Sequence, residues 1–495
     1  MSEAKSRLEE TRPGSAAAPG KPAAEPQVAV IHMYAKREEI YAREVKGRYA
    51  SLRWLFVWLT QLVFYGLPWL SWNGRQAVLF DLAARKFYIF GLVLWPQDFI
   101  YLAVLLIMSA WLLFMATAVA GRVWCGFSCP QTVYTEMFMW IERKIEGNRS
   151  ARMRLDKQPP SLGKFLRKSA KHLAWGTLAI WTGFTFVAYF SPLDALWQGV
   201  TGFSLGPWES FWILFYALAT YGNAGWLREQ VCQYMCPYAR FQSSMFDKDS
   251  LIITYDEKRG EPRGAAVRKS ASLEDTVAQA RSEQARGDCI DCSLCVQVCP
   301  VGIDIRKGLQ YECIGCAACI DACNSVMDKI GKPRGLIRYS TENGMKHGWS
   351  NSQLRRRVLR PRVLIYGAAL LALSGLFFGS LVLRTPLKLD VIRDRGSMGR
   401  EVEDGMIEYV YRLRIMNTDE AKHRYRITVT GLDTIRLETA DEVTLDGTES
   451  RAVPARIRVD HGKGERGSNK IMIQVQSLDD PRLRVEEDAV FMVPR

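Results

Sequence analysis

Eight of the twelve cysteines lie within 35 residues, in two copies of one spacing. The first copy is Cys289-x2-Cys292-x2-Cys295-x3-Cys299-Pro300; the second is Cys313-x2-Cys316-x2-Cys319-x3-Cys323. Two-residue gaps turn three sulfurs of a tight loop toward one centre and leave the fourth corner of a tetrahedron open. In chains that wrap two [4Fe–4S] cubanes, the other copy fills that corner. By that logic Cys289, Cys292, Cys295 and Cys323 hold one cluster, and Cys313, Cys316, Cys319 and Cys299 hold the other. Gly315, Ala317 and Ala318 leave room for inorganic sulfide. A pair of zinc sites is the competing reading, but zinc needs four ligands per site and no strict third repeat. Asn324 follows the last cysteine in place of proline, which removes no ligand.

The rest of the chain is long enough for several domains. A mean hydropathy of -0.09 averages two unlike parts. Five apolar runs suit a bilayer span: about Trp54 to Trp72, Phe99 to Ala120, Leu173 to Phe190, Trp208 to Leu227 and Val363 to Leu383. Gln61 and Pro68 interrupt the first, and tryptophans stand near several ends, where indoles favour the headgroup layer. Phe87 to Trp95 is apolar but too short to cross and reads as an interfacial or re-entrant piece. Lys and Arg crowd the segment before span one and the loop between spans two and three, and are absent between spans three and four. The positive-inside rule then puts the N-terminus and 228–362 in the cytoplasm and the tail outside. Arg355-Arg356-Arg357 reads as the anchor of span five. The formal net charge of +14 follows this bracketing. No recognition-helix, RRM-like or zinc-finger pattern accompanies it, so nucleic acid is excluded as a partner.

The two ends differ from the middle. Residues 1–35 are expected as a disordered tail, Ala/Pro/Gly-rich from Ala16 to Pro26 and without the apolar core of a signal peptide. Ser272 to Arg286 reads as a solvated helix or linker. After Thr385, alternating runs at 409–415, 425–429, 455–459 and 471–475 suggest about seven strands of an Ig-like β-sandwich. Gly462-x-Gly464-x-x-Gly467 matches a dinucleotide fingerprint formally, but no βαβ unit follows, and a hairpin turn is expected there.

The remaining cysteines repeat as Cys125-x3-Cys129-Pro130 and Cys232-x3-Cys236-Pro237, each a few residues past an even-numbered span. Proline suits the first turn of a helix, so Cys129 and Cys236 are expected as caps, opening Gln131 to Ile145 and Tyr238 to Phe246. Four thiols at one membrane face suit Cu(I), zinc or iron–sulfur. They could also cycle as disulfides, or simply pack. No cysteine follows Cys323, which argues against a disulfide framework. Of five histidines only His172 is near a span, at its end, where it reads as a snorkelling residue. A bis-histidine haem is therefore not expected, and without Cys-x-x-Cys-His neither is a c-type haem. Asp98 reads as the N-cap of span two, with a proton or quinone role as the alternative.

The expected architecture is a membrane α-helical bundle of about five transmembrane helices with a cytoplasmic bacterial-type 2[4Fe–4S] ferredoxin domain and a C-terminal Ig-like β-sandwich. Its parts are the tail, 1–35; a four-span membrane domain, 36–250; the ferredoxin domain, 251–345; a linker with the fifth span, 346–384; and the outer β domain, 385–495. The double cluster motif, the two Cys-x3-Cys-Pro pairs, Trp95-Pro96-Gln97-Asp98 and Cys129-Pro130-Gln131-Thr132-Val133-Tyr134-Thr135-Glu136 together resemble the FixG/CcoG group, accessory proteins for assembly of cbb3-type cytochrome c oxidase. The resemblance runs from about Tyr41 to the C-terminus. The membrane half is also similar to the NapH and NosR iron–sulfur membrane proteins; the β domain after span five favours FixG/CcoG.

The resemblance implies a bacterial inner-membrane cupric reductase that turns Cu(II) into Cu(I) for the oxidase. Electrons would enter through the two clusters and leave at Cys125, Cys129, Cys232 and Cys236, where thiolates favour Cu(I) and copper binds transiently. No dinucleotide or flavin motif lies in the cytoplasmic part, so an external electron donor is implied. The other implied partners are membrane lipid, a copper transporter or chaperone and the oxidase subunits; a homodimer is left open. A quinol-linked electron-transfer subunit, with Asp98 and Gln61 as weak pocket candidates, and an assembly scaffold with structural clusters are the alternatives.

Overall fold

The computed structural model describes residues 39–264, 286–393, 400–402, 405–460, 462–465 and 467–493. The tail 1–35, His32, His461 and nearly all of the Ser272 to Arg286 stretch lie outside the described residues.

Three helices among the described residues are long and apolar enough to cross a membrane: Arg48–Trp69, Pro96–Ala120 and Pro361–Val382. They contain α1 (Arg48–Gly66), α2 (Phe99–Ala120) and the last helix of the chain. Their large apolar side chains face outward, including Leu55, Leu62, Ile100, Leu106, Leu371 and Leu376, as a bilayer solvent requires.

Expected spans three and four are helical but do not meet that measure. After α3 (Val123–Phe127), α4 (Pro130–Glu146) and α5 (Arg149–Lys157), helix α6 (Leu162–Val187) is long, yet its first turns carry Lys164, Arg167, Lys168 and Lys171. After the short α7 (Leu193–Thr201), α8 (Pro207–Thr220) has 14 residues and continues as wide π-helical turns over Tyr221–Leu227. Helices α6 and α8 cross at Gly183, where any side chain would meet the backbone of Ile213. The stretch from Phe87 to Trp95 is not re-entrant. It supplies two strands, Lys86–Ile89 and Leu92–Leu94, of a three-stranded antiparallel sheet begun by Val78–Asp81. A short continuous apolar run suits buried strands, and it folds back on itself at Phe90-Gly91, where Phe90 has φ at 52°. Phe80 N–H donates to the Tyr189 carbonyl, so the sheet sits at the C-terminal end of α6.

Both cysteine-capped helices form: Cys129 is the N-cap of α4, and Cys236 that of α9 (Pro237–Met245). The two repeats differ just before the cap. Cys125 lies in an ordinary α-helical turn, whereas Cys232 lies in π-helical turns, Val231–Met235. Arg228, with φ at 42°, breaks the chain between the two π-helical stretches.

The ferredoxin domain is closed by the antiparallel strands Ile252–Tyr255 and Ile337–Ser340. The Arg355-Arg356-Arg357 run sits on a separate short helix, Asn351–Val358, ahead of the Pro361–Val382 helix. At the head of that last helix it is Arg360 and Arg362 that pair with Asp247, at 2.9 and 3.2 Å.

The C-terminal domain is a sandwich. One sheet runs Arg436–Leu437, Ser450–Val459, Ile407–Asn417, Leu387–Arg393; the other runs Glu442–Leu445, His423–Thr430, Gly467–Ser477, Arg484–Val493. Alternate residues such as Tyr409, Tyr411, Leu413 and Ile415 meet Ile471, Ile473 and Val475 in its core. The Gly462 to Gly467 loop is not a hairpin turn: its flanking strands belong to different sheets, so it crosses between them.

Candidate functional site

Each cysteine run builds a loop from the same backbone device. Asp291 and Ser293 in the first, Gly315 and Ala317 in the second, have positive φ on either side of the second cysteine. A short helix then starts at once, Leu294–Gln297 or Ala318–Ile330. Alternating left- and right-handed residues curl three sulfurs around one hollow and turn backbone N–H groups inward. The Gly315 N–H, for instance, donates to the Cys313 sulfur.

The hollows match the crossed pairing. Cys289, Cys292, Cys295 and Cys323 line one cavity with Leu294, Val326, Met327 and Ile337. Cys299, Cys313, Cys316 and Cys319 line another with Val301, Ile303, Ile305 and Ile314; Cys295 touches both. Both are almost wholly apolar, which suits a cubane anchored by thiolates and excluded from water. Among the described residues no three His, Cys, Asp or Glu side chains converge on a single ion position. Cys292 is the one exposed cysteine. Arg306 lies beside Cys295 and is bound to Asp304 at 2.8 Å and to Asp291.

The four membrane-face thiols also lie near one another, without three of them converging on one ion position. Cys129, Cys232 and Cys236 all lie within electrostatic reach of Cys125. Burial pushes the Cys125 thiol up to about 12 and Cys232 to about 11, and raises Cys129 as well. These thiols keep their protons at neutral pH until a soft cation displaces them. Cys125 Sγ donates to Gln242 Oε1 at 3.3 Å, and Gln242, fully buried on α9, donates to Thr117 Oγ1 at 3.3 Å. Thr132 Oγ1 donates to the Cys125 carbonyl.

The two constellations touch. Cys125 and Cys232 pack against a buried cluster made by Val298, Val301, Ile314, Cys316, Ala318 and Ala322, together with Cys299 and Cys319. A glycine pair allows this approach. A Cβ on Gly126, inside the first Cys-x3-Cys motif, would lie 2.7 Å from the Gly315 carbonyl oxygen and 2.9 Å from Cys316 Cα. Neither Gly126 nor Gln242 was singled out by sequence reasoning. Gly126 had a legible signal, a glycine between two spaced cysteines; Gln242 had none.

Two other expectations are revised. His172 does not snorkel. It is the eleventh of the 26 residues of α6, bonds Tyr221 Oη at 2.8 Å and sits between Trp175 and Trp226. Asp98 holds the N-cap position, but its carboxylate bonds backward to Trp95 N–H at 3.0 Å and pairs with Arg384 at 2.9 Å and with Lys388. The buried anion ties the start of α2 to the start of the β domain, and Gln97 adds a bond to Asp390 at 2.9 Å.

Residues 227–342 match a family described as a 4Fe-4S dicluster domain, 101–148 one described as a 4Fe-4S binding domain, and 377–494 one described as an IG-like fold at the C-terminal of FixG. The chain is 38% identical to the nitrogen fixation protein FixG of Rhizobium meliloti, covering 84% of this chain and 83% of that protein. It is 37% identical to protein RdxB of Cereibacter sphaeroides over 94% of this chain and 98% of that one. A solved FixG-related protein from Vibrio parahaemolyticus is similar at 20% identity over 22% of this chain and 95% of that one, with a TM-score of 0.20.

Proposed function

The chain belongs to the FixG family, an iron–sulfur electron-transfer protein of the membrane, and on that premise we propose that it reduces Cu(II) to Cu(I) at its membrane-face thiols, for assembly of a cbb3-type oxidase. Two [4Fe–4S] clusters supply one electron at a time, the stoichiometry a copper ion needs. Cys289, Cys292, Cys295 and Cys323 hold the outer cluster; Cys299, Cys313, Cys316 and Cys319 hold the one beside the membrane. The observation that carries the reading is the packing of Cys125 and Cys232 against the buried cluster that contains Cys316, on which Cys299 and Cys319 also pack.

The chain's own residues do the rest. Cys125, Cys129, Cys232 and Cys236 give the metal a soft, water-poor seat that favours Cu(I). Each thiol that binds surrenders a proton. Gln242 accepts from the Cys125 thiol and orients it. Exposed Cys292 marks where an external donor approaches. The clusters face the cytoplasm and the β domain the far side, with α6 and α8 completing five spans. A copper transporter or chaperone and the oxidase are the remaining partners. The quinol-linked alternative loses its best candidate, because Asp98 is occupied by Arg384 and Lys388.

One observation favours a second reading. Residues 101–148 resemble a 4Fe-4S binding domain although they hold two cysteines, and Cys232 with Cys236 brings the count to four. Those four thiols would then hold a third cluster. Iron analysis separates the two readings: eight irons per chain support the copper seat, and twelve support a third cluster. Anaerobic titration of the dithionite-reduced protein with Cu(II) tests the reaction. Cluster absorbance should recover as Cu(I) appears, and the Cys232→Ser/Cys236→Ser variant should lose this while keeping eight irons. Reoxidation indifferent to those cysteines sinks the copper reading.

A further inference from the structure

The two cysteine constellations share one buried cation, Arg122. It follows Gly121, whose φ of 54° ends α2, and it is only 5% exposed. Its Nη2 donates to the Ala239 carbonyl of α9, while its Nε is buried without an acceptor. Among the described residues no carboxylate forms an ion pair with it. Its charge acts on Cys125 and Cys232 of the one constellation and on Cys313 of the other. Its backbone rests on the loop between two cluster cysteines: a Cβ on Gly315 would lie 3.1 Å from the Arg122 carbonyl oxygen. A guanidinium taken out of water requires a counter-charge. Of the sulfurs its charge reaches, Cys313 supplies one when it ligates a cluster as thiolate.

The other arginines near the cluster cysteines arrive neutralised. Arg306, beside Cys295, is held by Asp304 and Asp291. Arg53, which faces Cys316 from α1, pairs with Glu136 at 3.6 Å.

We propose that Arg122 is the counter-charge of the membrane-side cluster and holds its reduction potential above that of the outer cluster, so that an incoming electron settles beside Cys125 and Cys232. Reduction adds one negative charge to a thiolate cage, and a fixed positive charge in a low-dielectric setting favours the more negative state. One electron moves from cage to cage; no bond or proton changes place. The inference rests on the reading that the eight cysteines hold two clusters.

The test is an EPR-monitored redox titration of the anaerobically purified full chain. Two midpoints are expected, the upper abolished by Cys313→Ser and the lower by Cys292→Ser. In Arg122→Met the upper midpoint should fall by at least a tenfold change in the reduced-to-oxidised ratio, about 59 mV for one electron. The lower one should stay, with iron content unchanged, and Arg122→Lys should restore most of the shift. A purely structural Arg122 would lower iron content or stability without moving the midpoint. Should Arg122→Met lose its iron, the cysteine variants decide: an upper midpoint that survives Cys313→Ser overturns the proposal. Two signals with an unmoved midpoint in Arg122→Met overturn the role of Arg122 alone. A wild-type chain without two reducible signals overturns the cluster reading instead.

Discussion

Glu142 shows how a single residue holds the inner end of the bundle. It is buried on α4 among three cations, Arg152 at 2.8 Å, Arg228 at 3.2 Å and Lys171 at 3.6 Å. Burial alone would raise its carboxyl, but Arg228, Arg152 and Lys171 outweigh burial and hold it below the usual carboxylate range. A folded pKa below the unfolded one adds stability above about pH 4.3, and that stability is lost as pH falls through the depressed value. The thermal midpoint in detergent should therefore hold from neutral pH to about pH 5 and drop below it. Glu142→Gln should cost about 3–5 kcal/mol at neutral pH, because it strands buried cations, and should flatten part of the acid drop. An unchanged melting curve for Glu142→Gln would assign the network no role in stability.

Helix α1 shows what an element borrows from elsewhere in the chain. Its N-cap, Gly47, has no side chain to offer the first N–H groups. Asp321 of the Ala318–Ile330 helix accepts from Tyr49 N–H at 3.3 Å and Ala50 N–H at 2.8 Å instead. A carboxylate at a helix N-terminus also meets the positive end of its dipole. A span is thus capped by the helix that carries Cys319 and Cys323. The Gly126–Gly315 contact is the second such joint. Gly126→Ala should leave the iron content intact yet slow the reoxidation of reduced protein by Cu(II) several-fold, because the added methyl must push the Cys313 to Cys316 loop away from Cys125. Stopped-flow bleaching kinetics read this directly, and an unchanged rate would mean that the glycine contact does not carry the electron path.

At the scale of the whole molecule, the long apolar helices are fastened to the ferredoxin domain and to the β domain. The fastening to the β domain is electrostatic. Asp98 binds Arg384 and Lys388, and Arg75 binds Glu420 at 2.6 Å. Asp98 is buried, so Asp98→Ala should cost about 3–5 kcal/mol and open the segment near Thr385 to protease. Arg75→Ala removes a more exposed pair and should cost about 0–1 kcal/mol. Equal protection in Asp98→Ala and wild type would show that the β domain docks by other contacts. Sidedness is a second prediction. An alkaline phosphatase fusion beyond the β domain should be active in the periplasm, and one after Gly264 should be inactive; the reverse pattern would invert the topology.

The cysteine spacing determined the loops, because positive-φ turns and short helices follow from where the sulfurs must point. It also suggested the crossed sets, since each run closes three corners, and the two cavities are lined by those same sets. The prolines determined where α4 and α9 begin, and period-2 runs determined the sandwich. The remaining features depended on tertiary structure. The sequence does not distinguish an apolar stretch of nine residues as strand or insert until Val78–Asp81 pairs with it. Asp98 looks like a cap until Arg384, nearly three hundred residues away, supplies a stronger charge. Above all, no pattern in the chain says that Cys125 and Cys232 pack on the cluster that holds Cys316, or that Arg122 rests on the loop between Cys313 and Cys316. Those facts depend on two glycines meeting across an interface, and such a contact leaves no period, charge or spacing in the sequence.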